Sequence, residues 1–524
     1  MAILPTTSGA SSHTVVLASE QGIGRLVMDI AAALDPGDLV TLSGDLGAGK
    51  TTFARAMIRF LADNPDIPVP SPTFTLMQSY DLPRFPVVHA DLYRLEGPGE
   101  LAELGFDDLP KNAVVLLEWP DRAAGFLPAD RLDIAFTLAP ANGPEYRNVR
   151  ITGYGSFAQR ADRIPVIRRF LDGTGFAQAE RRRIQGDAST RSYERLTLGE
   201  HRAILMNSPK RPDGPPVRDG KPYSQIAHLA EDVVPFVAMA NGLRQLGFSA
   251  PQIYEAEIPD GLLIIEDLGS EPFVAGDPPT PIEERYAAAV DALIALHDQK
   301  VPVGIKVAPA LAHKLPVYDI DAYLIETELL LDWYLPRYRV AVTEEMRAVF
   351  VERWREALQV AIHARPTWVL RDFHSPNLIW LPERQGVQRV GLIDFQDAMM
   401  GPPAYDLASL LQDARVDVPE LMEVGLLGHY VRERGAIDPA FDPADFLHVY
   451  ATVAAQRASK ILGIFARLDK RDRKPQYLRH IPRVWGYLQR SLAHPSLSAL
   501  RAWYTEHVPV PTADAPAASA PPAP

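Results

Sequence analysis

Two short stretches carry residue sets suited to handling phosphate. Gly44 to Thr51 reads GDLGAGKT and fits the pattern G-x-x-x-x-G-K-[S/T]. In such a loop Gly44, Gly47 and Gly49 let the backbone turn its N–H groups toward phosphate oxygens. Lys50 reaches the β- and γ-phosphates, Thr51 ligates magnesium, and Thr52 completes the nucleotide-binding set. A phosphate loop also needs a carboxylate for the metal and a group that positions the attacking water. Asp91 in VVHADLYRL and Glu118 in AVVLLEWPD end apolar runs, where crevices form in open α/β sheets. Taken alone, both acids read more readily as strand-terminal charges or helix caps.

The second set lies at 368–380, WVLRDFHSPNLIW, where Asp372 and Asn377 have the D-x-x-x-x-N spacing of a kinase catalytic loop. The run RVGLIDFQDA then puts Asp394 at the end of another apolar strand, the place of a magnesium-binding aspartate. Phosphoryl transfer is mostly metal clamping and in-line positioning of the acceptor. Asn377 and Asp394 would hold magnesium, and Asp372 would accept a hydrogen bond from the attacking hydroxyl. With a free carboxyl titrating near pH ~3.9, its roles are orientation and late proton acceptance. A turn whose Asp and Asn cap strands is the competing reading; the following LIDFQD weighs against it.

Elements that would position these residues are legible as patterns. Residues 39–43 (LVTLS) read as a buried strand, TTFARAMIRFLAD as a helix, and 87–90, 113–118, 132–138 and 147–152 as further strands of an α/β sheet. The first domain is expected over 1–157. A hairpin at 193–198 and 202–206 opens a second domain over 165–505, with a small lobe at 165–268 and a large lobe at 269–505. The large lobe is mainly helical, apart from a strand-rich island at 367–395. The expected fold is thus an α/β P-loop NTPase domain followed by a bilobal protein-kinase-like (α+β) phosphotransferase domain. The Pro/Ala-rich end, 508–524, reads as a disordered tail.

Composition sets outer limits. A chain of 524 residues with 47% apolar and 23% charged residues has room for two or three folded units. A formal net charge of -13 disfavours direct nucleic-acid binding by the whole chain. No cysteine is present, which excludes disulfides, a thiol nucleophile and cysteine-ligated zinc. The start lacks the pattern of a signal peptide, and no apolar run reaches transmembrane length, so the expectation is a cytoplasmic protein with no membrane partner.

Over about residues 14–155 the order GDLGAGKTTFAR, SPTFTL, HADLYRL and LLEWPDR resembles the TsaE family. That resemblance implies a small ATPase working with TsaB- and TsaD-like partners in making threonylcarbamoyladenosine on tRNA, the tRNA being met only indirectly. It also implies that Thr51 and Asp91 are magnesium ligands, that Thr73 belongs to a nucleotide-sensing loop, and that Glu118 assists hydrolysis beside Trp119.

Over about 165–505 the order GDAS-RSY, ILMNSP, LIIEDLG, LRDFHSPNLIW, IDFQDA and SKILGIFARLDKRDRKPQYL resembles the aminoglycoside-phosphotransferase superfamily, and within it the AmgK-like sugar kinases. The implied reaction is ATP- and Mg2+-dependent phosphorylation of the anomeric hydroxyl of N-acetylmuramate or N-acetylglucosamine in cell-wall recycling. Two departures stand out: Met206 takes the place of the usual phosphate-pairing lysine, and Leu370 that of a structural histidine. The segment QGDASTRSYERL, with Gly186, Ser189 and Thr190, is the candidate phosphate-covering loop, and Asp267 with its neighbours the candidate adenine hinge. Glu328, Asp332 and Trp333 in IETELLLDWYL are candidate sugar contacts on a helix, the two acids sharing one face. Two alternatives remain for this half: transfer to an aminoglycoside, choline or another amino alcohol, or nucleotide binding without turnover.

Overall fold

The computed structural model describes residues 10–73, 75–95, 100, 110–123, 125–143, 145–184 and 191–512. The candidate loop residues Gly186, Ser189 and Thr190 lie outside them. By contacts the chain divides into two compact units, Met1–Asn207 with Leu262–Ile264, and Ser208–Gly261 with Ile265–Pro524.

Up to Asp172 the first unit carries, among the described residues, seven strands and three α-helices. These are β1 (Ser11–Leu17), α1 (Glu20–Ala33), β2 (Leu39–Ser43), α2 (Lys50–Leu61), β3 (Met77–Tyr80), β4 (Val87–Asp91), β5 (Val114–Glu118), β6 (Arg131–Leu138), β7 (Arg147–Tyr154) and α3 (Phe157–Asp172). The sheet order is β1-β7-β6-β2-β5-β4-β3. Strands β4, β5, β2 and β6 run parallel, and β3, β7 and β1 are antiparallel to their neighbours. The parallel centre is made of LVTLS, VVLLE and VVHAD, apolar runs that bury nearly every residue, as strands covered on both faces do.

Helix α3 falls in a stretch whose Arg and Asp content, with Pro165 inside the helix, obscures it in sequence. Its buried residues nonetheless recur at helical spacing. Phe157, Ala161 and Ile164 belong to the core of the seven-stranded sheet. Ile167 and Leu171 belong to a second core, with Leu196, Ala203, Leu205, Leu262 and Ile264. One helix therefore serves two hydrophobic cores. The second core underlies the antiparallel strands β8 (Glu180–Ile184), β9 (Ser192–Leu198) and β10 (His201–Asn207).

A buried ion cluster ties these strands to α1. Arg181 on β8 is 2% exposed and donates through Nε and Nη2 to Glu194 on β9, at 2.8 and 2.9 Å, and through Nη1 to Asp29 on α1. Burial pushes the Asp29 carboxyl up, against the pull of Arg181 and Arg168. The two carboxylates in turn raise Arg181 above its usual range, against the effect of burial.

The second unit is mainly helical. Its longest helix, Pro443–Lys470, starts where Asp442 accepts from the amides of Ala444 and Asp445, with proline in the first turn, and most of its length is buried. Two short antiparallel pairings make the island within the helices. Thr367–Val369 pairs with Met399–Gly401, and Leu378–Trp380 with Val390–Leu392. Near the end of the chain Val508 is buried and the Pro509 carbonyl accepts from the Tyr334 hydroxyl at 3.0 Å. Residues from 513 onward lie outside the described ones.

Candidate functional sites

Between β2 and α2 the chain turns through Gly44 (φ +131°) and Gly49 (φ +116°). A Cβ on Gly44 would lie 2.3 Å from the carbonyl oxygen of Phe136, so both conformation and space demand glycine there. Helix α2 begins at Lys50, which leaves its first amides without intrahelical partners, an arrangement that favours an anion.

The parallel register sets Asp91 beside Glu118 at the ends of β4 and β5. Thr51 Oγ1 donates to Glu118 Oε2 at 2.8 Å, and Thr73 Oγ1 donates to Asp91 Oδ2 at 2.8 Å. Lys50 Nζ donates to the carbonyls of Gly44 (2.7 Å) and Asp45 (2.9 Å) and lies 3.8 Å from the centre of the Trp119 ring. Burial lowers the proton affinity of Lys50, opposed by Glu118, Asp91 and Asp45. The exposed Thr52 follows on α2. Lys50, Thr51, Thr73, Asp91 and Glu118 thus converge on one end of the sheet. His89, fully buried, is a further member that sequence reasoning missed: its Nε2 lies 2.9 Å from Glu118 Oε1. A polar residue inside the apolar run VVHA was the available signal. The hydroxyl of Thr51 and the carboxylate of Asp91 are hard oxygen donors that suit magnesium, with phosphate and water completing its shell.

In the second unit, the pairing of Leu378 with Leu392 brings the start of one strand beside the end of the other, and Ile393 N donates to Asn377 O at 3.1 Å. Asn377 Nδ2 donates to the Asp372 carbonyl at 2.9 Å and to Asp394 Oδ2 at 3.4 Å, and Gln396 Nε2 donates to Asp394 Oδ1 at 3.1 Å. Asp372, Asn377 and Asp394 are therefore neighbours. Asn377 keeps its amide oxygen for a metal beside the Asp394 carboxylate, again an oxygen set that fits magnesium.

The loop is pinned at both ends by buried acids absent from the sequence reading. Asp406 accepts from the amides of Leu370 (2.6 Å) and Arg371 (2.9 Å), and Asp413 accepts from the amide of Ser375 (2.9 Å). Burial pushes Asp406 up to about 7, against those two amide bonds. An acid inside the apolar helix AYDLASLL was the signal. No hydrogen bond reaches the Asp372 carboxylate within the described residues. Burial would raise its pKa; Lys460 first, then His374, Arg371 and Arg457, outweigh burial and hold it below the usual carboxylate range.

The remaining candidates are placed elsewhere or already engaged. Asp267 Oδ1 accepts from the amide of Gly269 at 2.9 Å, closing a turn. Glu328 and Asp332 do share a face, but Arg347 bridges them, at 2.9 Å to Glu328 and 2.5 Å to Asp332, and Arg218 also holds Glu328 at 2.5 Å. The helix itself ends at Thr327, with a wider turn over Leu330–Tyr334 that carries the half-buried Trp333. Met206 is buried in β10, and the neighbouring Asn207 receives a hydrogen bond from Arg163 of α3 at 2.6 Å.

The model described as TsaE, threonylcarbamoyl adenosine biosynthesis protein TsaE, matches residues 17–146, and the model described as APH, phosphotransferase enzyme family, matches 180–447. A Caulobacter vibrioides protein named N-acetylmuramate/N-acetylglucosamine kinase is 39% identical over 66% of this chain and 96% of its own length. A Pseudomonas aeruginosa protein of the same name is 32% identical over 60% of this chain and 84% of its own. A Rickettsia bellii protein named tRNA threonylcarbamoyladenosine biosynthesis protein TsaE is 37% identical over 24% of this chain and 85% of its own. The chain is a fusion that belongs to the TsaE family in its first part and to the phosphotransferase enzyme family in its second. Among the described residues no helix is long and apolar enough to cross a membrane.

Proposed function

We propose that this protein is bifunctional: an ATPase supporting threonylcarbamoyladenosine modification of tRNA, and an ATP-dependent anomeric kinase for N-acetylmuramate and N-acetylglucosamine. The observation that carries the kinase reading is the convergence of Asp372, Asn377 and Asp394 on a loop pinned by Asp406 and Asp413. The names of the relatives supply the acceptor.

In the kinase reaction Asp372 accepts a hydrogen bond from the anomeric hydroxyl and orients it. The anomeric oxygen forms a bond to the γ-phosphorus of ATP as the bond from that phosphorus to the bridging oxygen of ADP breaks. The hydroxyl proton passes to Asp372 late in the step, as its low pKa requires. Magnesium held by Asn377 and Asp394 would neutralise phosphate charge. In the ATPase, Lys50 and the first amides of α2 bind the phosphates, Thr51 and Asp91 would hold magnesium, and Glu118, kept in place by His89, orients water. TsaB- and TsaD-like proteins are the partners of this half, and its turnover serves their cycle.

The kinase test uses the full chain, because α3 contributes to two cores and a cut before it would take Ala161 and Ile164 from the first. Incubation with magnesium ATP and each sugar, followed by phosphorus NMR, is expected to give a sugar 1-phosphate. Asp372→Asn is expected to cut kcat by about 10³-fold while sparing ATP binding. Phosphate transfer only to aminoglycosides or amino alcohols would sink the sugar assignment, and an active Asp372→Asn would remove that residue from its role.

A further inference from the structure

The residue before Asp372 adopts a backbone conformation that a long side chain rarely takes. Arg371 has φ +73°, in the left-handed region, and such a residue persists only where its surroundings over-determine it. Its amide and that of Leu370 are held by Asp406. Its guanidinium is 2% exposed, donates to the Ala227 carbonyl at 3.0 Å and forms an ion pair with Glu326.

Glu326 is wholly buried and receives four donors. Besides Arg371 these are the Tyr318 hydroxyl, Gln456 Nε2 at 3.1 Å and Lys460 Nζ at 2.8 Å. Gln456 and Lys460 are four apart on the helix Pro443–Lys470, so they approach from one face. Burial alone would raise the pKa of Glu326; Lys460 and then Arg371 overcome it and bring it to about 2.

The charge count exceeds what a structural pair needs. Arg371 is neutralised by Glu326 alone, yet Lys460, only 12% exposed, adds a second cation to the same carboxylate. Burying an ammonium costs several kcal/mol, and an apolar side chain of similar length would pack in its place without that penalty. Among the charges that act on the Asp372 carboxyl, that of Lys460 is the largest.

We propose that Lys460, acting through Glu326 and Arg371, is a positioning residue that fixes the backbone carrying Asp372 in the geometry phosphoryl transfer needs. The proposal rests on the kinase reading above and adds a component to it. Lys460 fixes the Glu326 carboxylate, Glu326 fixes the Arg371 guanidinium, and Arg371 fixes the dihedral angles from which Asp372 projects. Displacement of the loop by about 1 Å would cost on the order of 100-fold in rate.

The test compares the full-length wild type with Lys460→Met, Lys460→Arg and Glu326→Gln. Lys460→Met is expected to lower kcat about 100-fold with the KM values for ATP and sugar within about threefold of wild type, and Lys460→Arg to recover most of that loss. Glu326→Gln is expected to fall at least as far as Lys460→Met. Wild-type kcat in Lys460→Met, a sugar KM raised in step with the loss, or no recovery in Lys460→Arg would overturn the proposal. Amide hydrogen exchange over 370–377 provides a readout that needs no acceptor. Faster exchange in Lys460→Met than in wild type is expected, and unchanged exchange refutes the positioning role. If the wild type phosphorylates no sugar, the acceptor assignment fails, and the exchange measurement still decides the role of Lys460.

Discussion

Each of the two compact units contains a buried ion cluster, and the clusters are centred on opposite charges. In the first unit Arg181 serves two carboxylates, Asp29 and Glu194, with the partly exposed Arg168 3.4 Å from Asp29. In the second, one carboxylate, Glu326, serves two cations, Arg371 and Lys460. The first cluster joins α1 to strands β8 and β9 and includes none of the residues that converge around Lys50. The second reaches through Arg371 to the residue next to Asp372. The lesson concerns how each cluster can respond to damage. Carboxylates left without a cation relieve themselves by taking up protons near neutral pH, whereas an arginine left without an anion stays charged. Acids gathered on one cation are therefore a forgiving way to join two parts, and cations gathered on one acid a rigid way to hold a loop.

The sharpest way to break that contrast is Arg181→Ala. It removes the cation shared by two buried carboxylates and is expected to cost about 3–5 kcal/mol of stability at neutral pH, read as a lower denaturant midpoint. The pairing gives a further signature. Burial already pushes the Asp29 carboxyl up, and without Arg181 it would rise further. The penalty should shrink at pH 5 relative to pH 8, as protons replace the missing cation. An equal penalty at both pH values would mean that water reaches the site and that the cluster is not sealed.

The second cluster should behave in the opposite sense. Glu326 has its pKa depressed to about 2, against an unfolded value near ~4.3. The stability it contributes is present above the unfolded value and is lost as pH falls from about 4.3 toward 2, a contribution on the order of 3 kcal/mol. Acid unfolding followed by tryptophan fluorescence should show that loss, and Glu326→Gln should flatten the curve over the same window. An unchanged curve in that variant would assign the acid sensitivity to other carboxylates.

These clusters also mark where sequence reading reaches its limit. The phosphate loop is legible because its chemistry is local: the glycines, Lys50 and Thr51 are adjacent, and LVTLS and TTFARAMIRFLAD flank them. Asp372, Asn377 and Asp394 are legible for the same reason, being spaced within one pair of short strands. The neighbourhood of Asp91 and Glu118 depends on the parallel register of β4 and β5, which no local pattern specifies. Glu326, Lys460 and Asp406 lie on helices distant in sequence from the loop they hold, so their charges read as ordinary helix residues until the fold brings them together. Helix α3 was obscured by its arginines and Pro165, although Phe157, Ala161, Ile164, Ile167 and Leu171 carry a helical period once sought. The acids Glu328 and Asp332 do share a face, but no local pattern shows that Arg347 pairs with both and Arg218 with Glu328.

The smallest expected effect tests the phosphate loop itself. Lys50 is not waiting unpaired for nucleotide. It already donates to two carbonyls and lies over the Trp119 ring, and burial has lowered its hold on its proton. Binding ATP would exchange those partners for phosphate oxygens, so the measured worth of Lys50 is the difference between the two sets and not the full strength of a charge-assisted bond. Lys50→Ala should therefore weaken ATP binding at this site by about 10- to 100-fold, corresponding to about 1.5–3 kcal/mol. Because the full chain has two nucleotide sites, the titration should be run on Asp372→Asn and on Asp372→Asn with Lys50→Ala, where only the weaker phase distinguishes them. A single unchanged affinity in both would refute the assignment of Lys50 to nucleotide binding. Loss of both phases would show that the two sites are not independent.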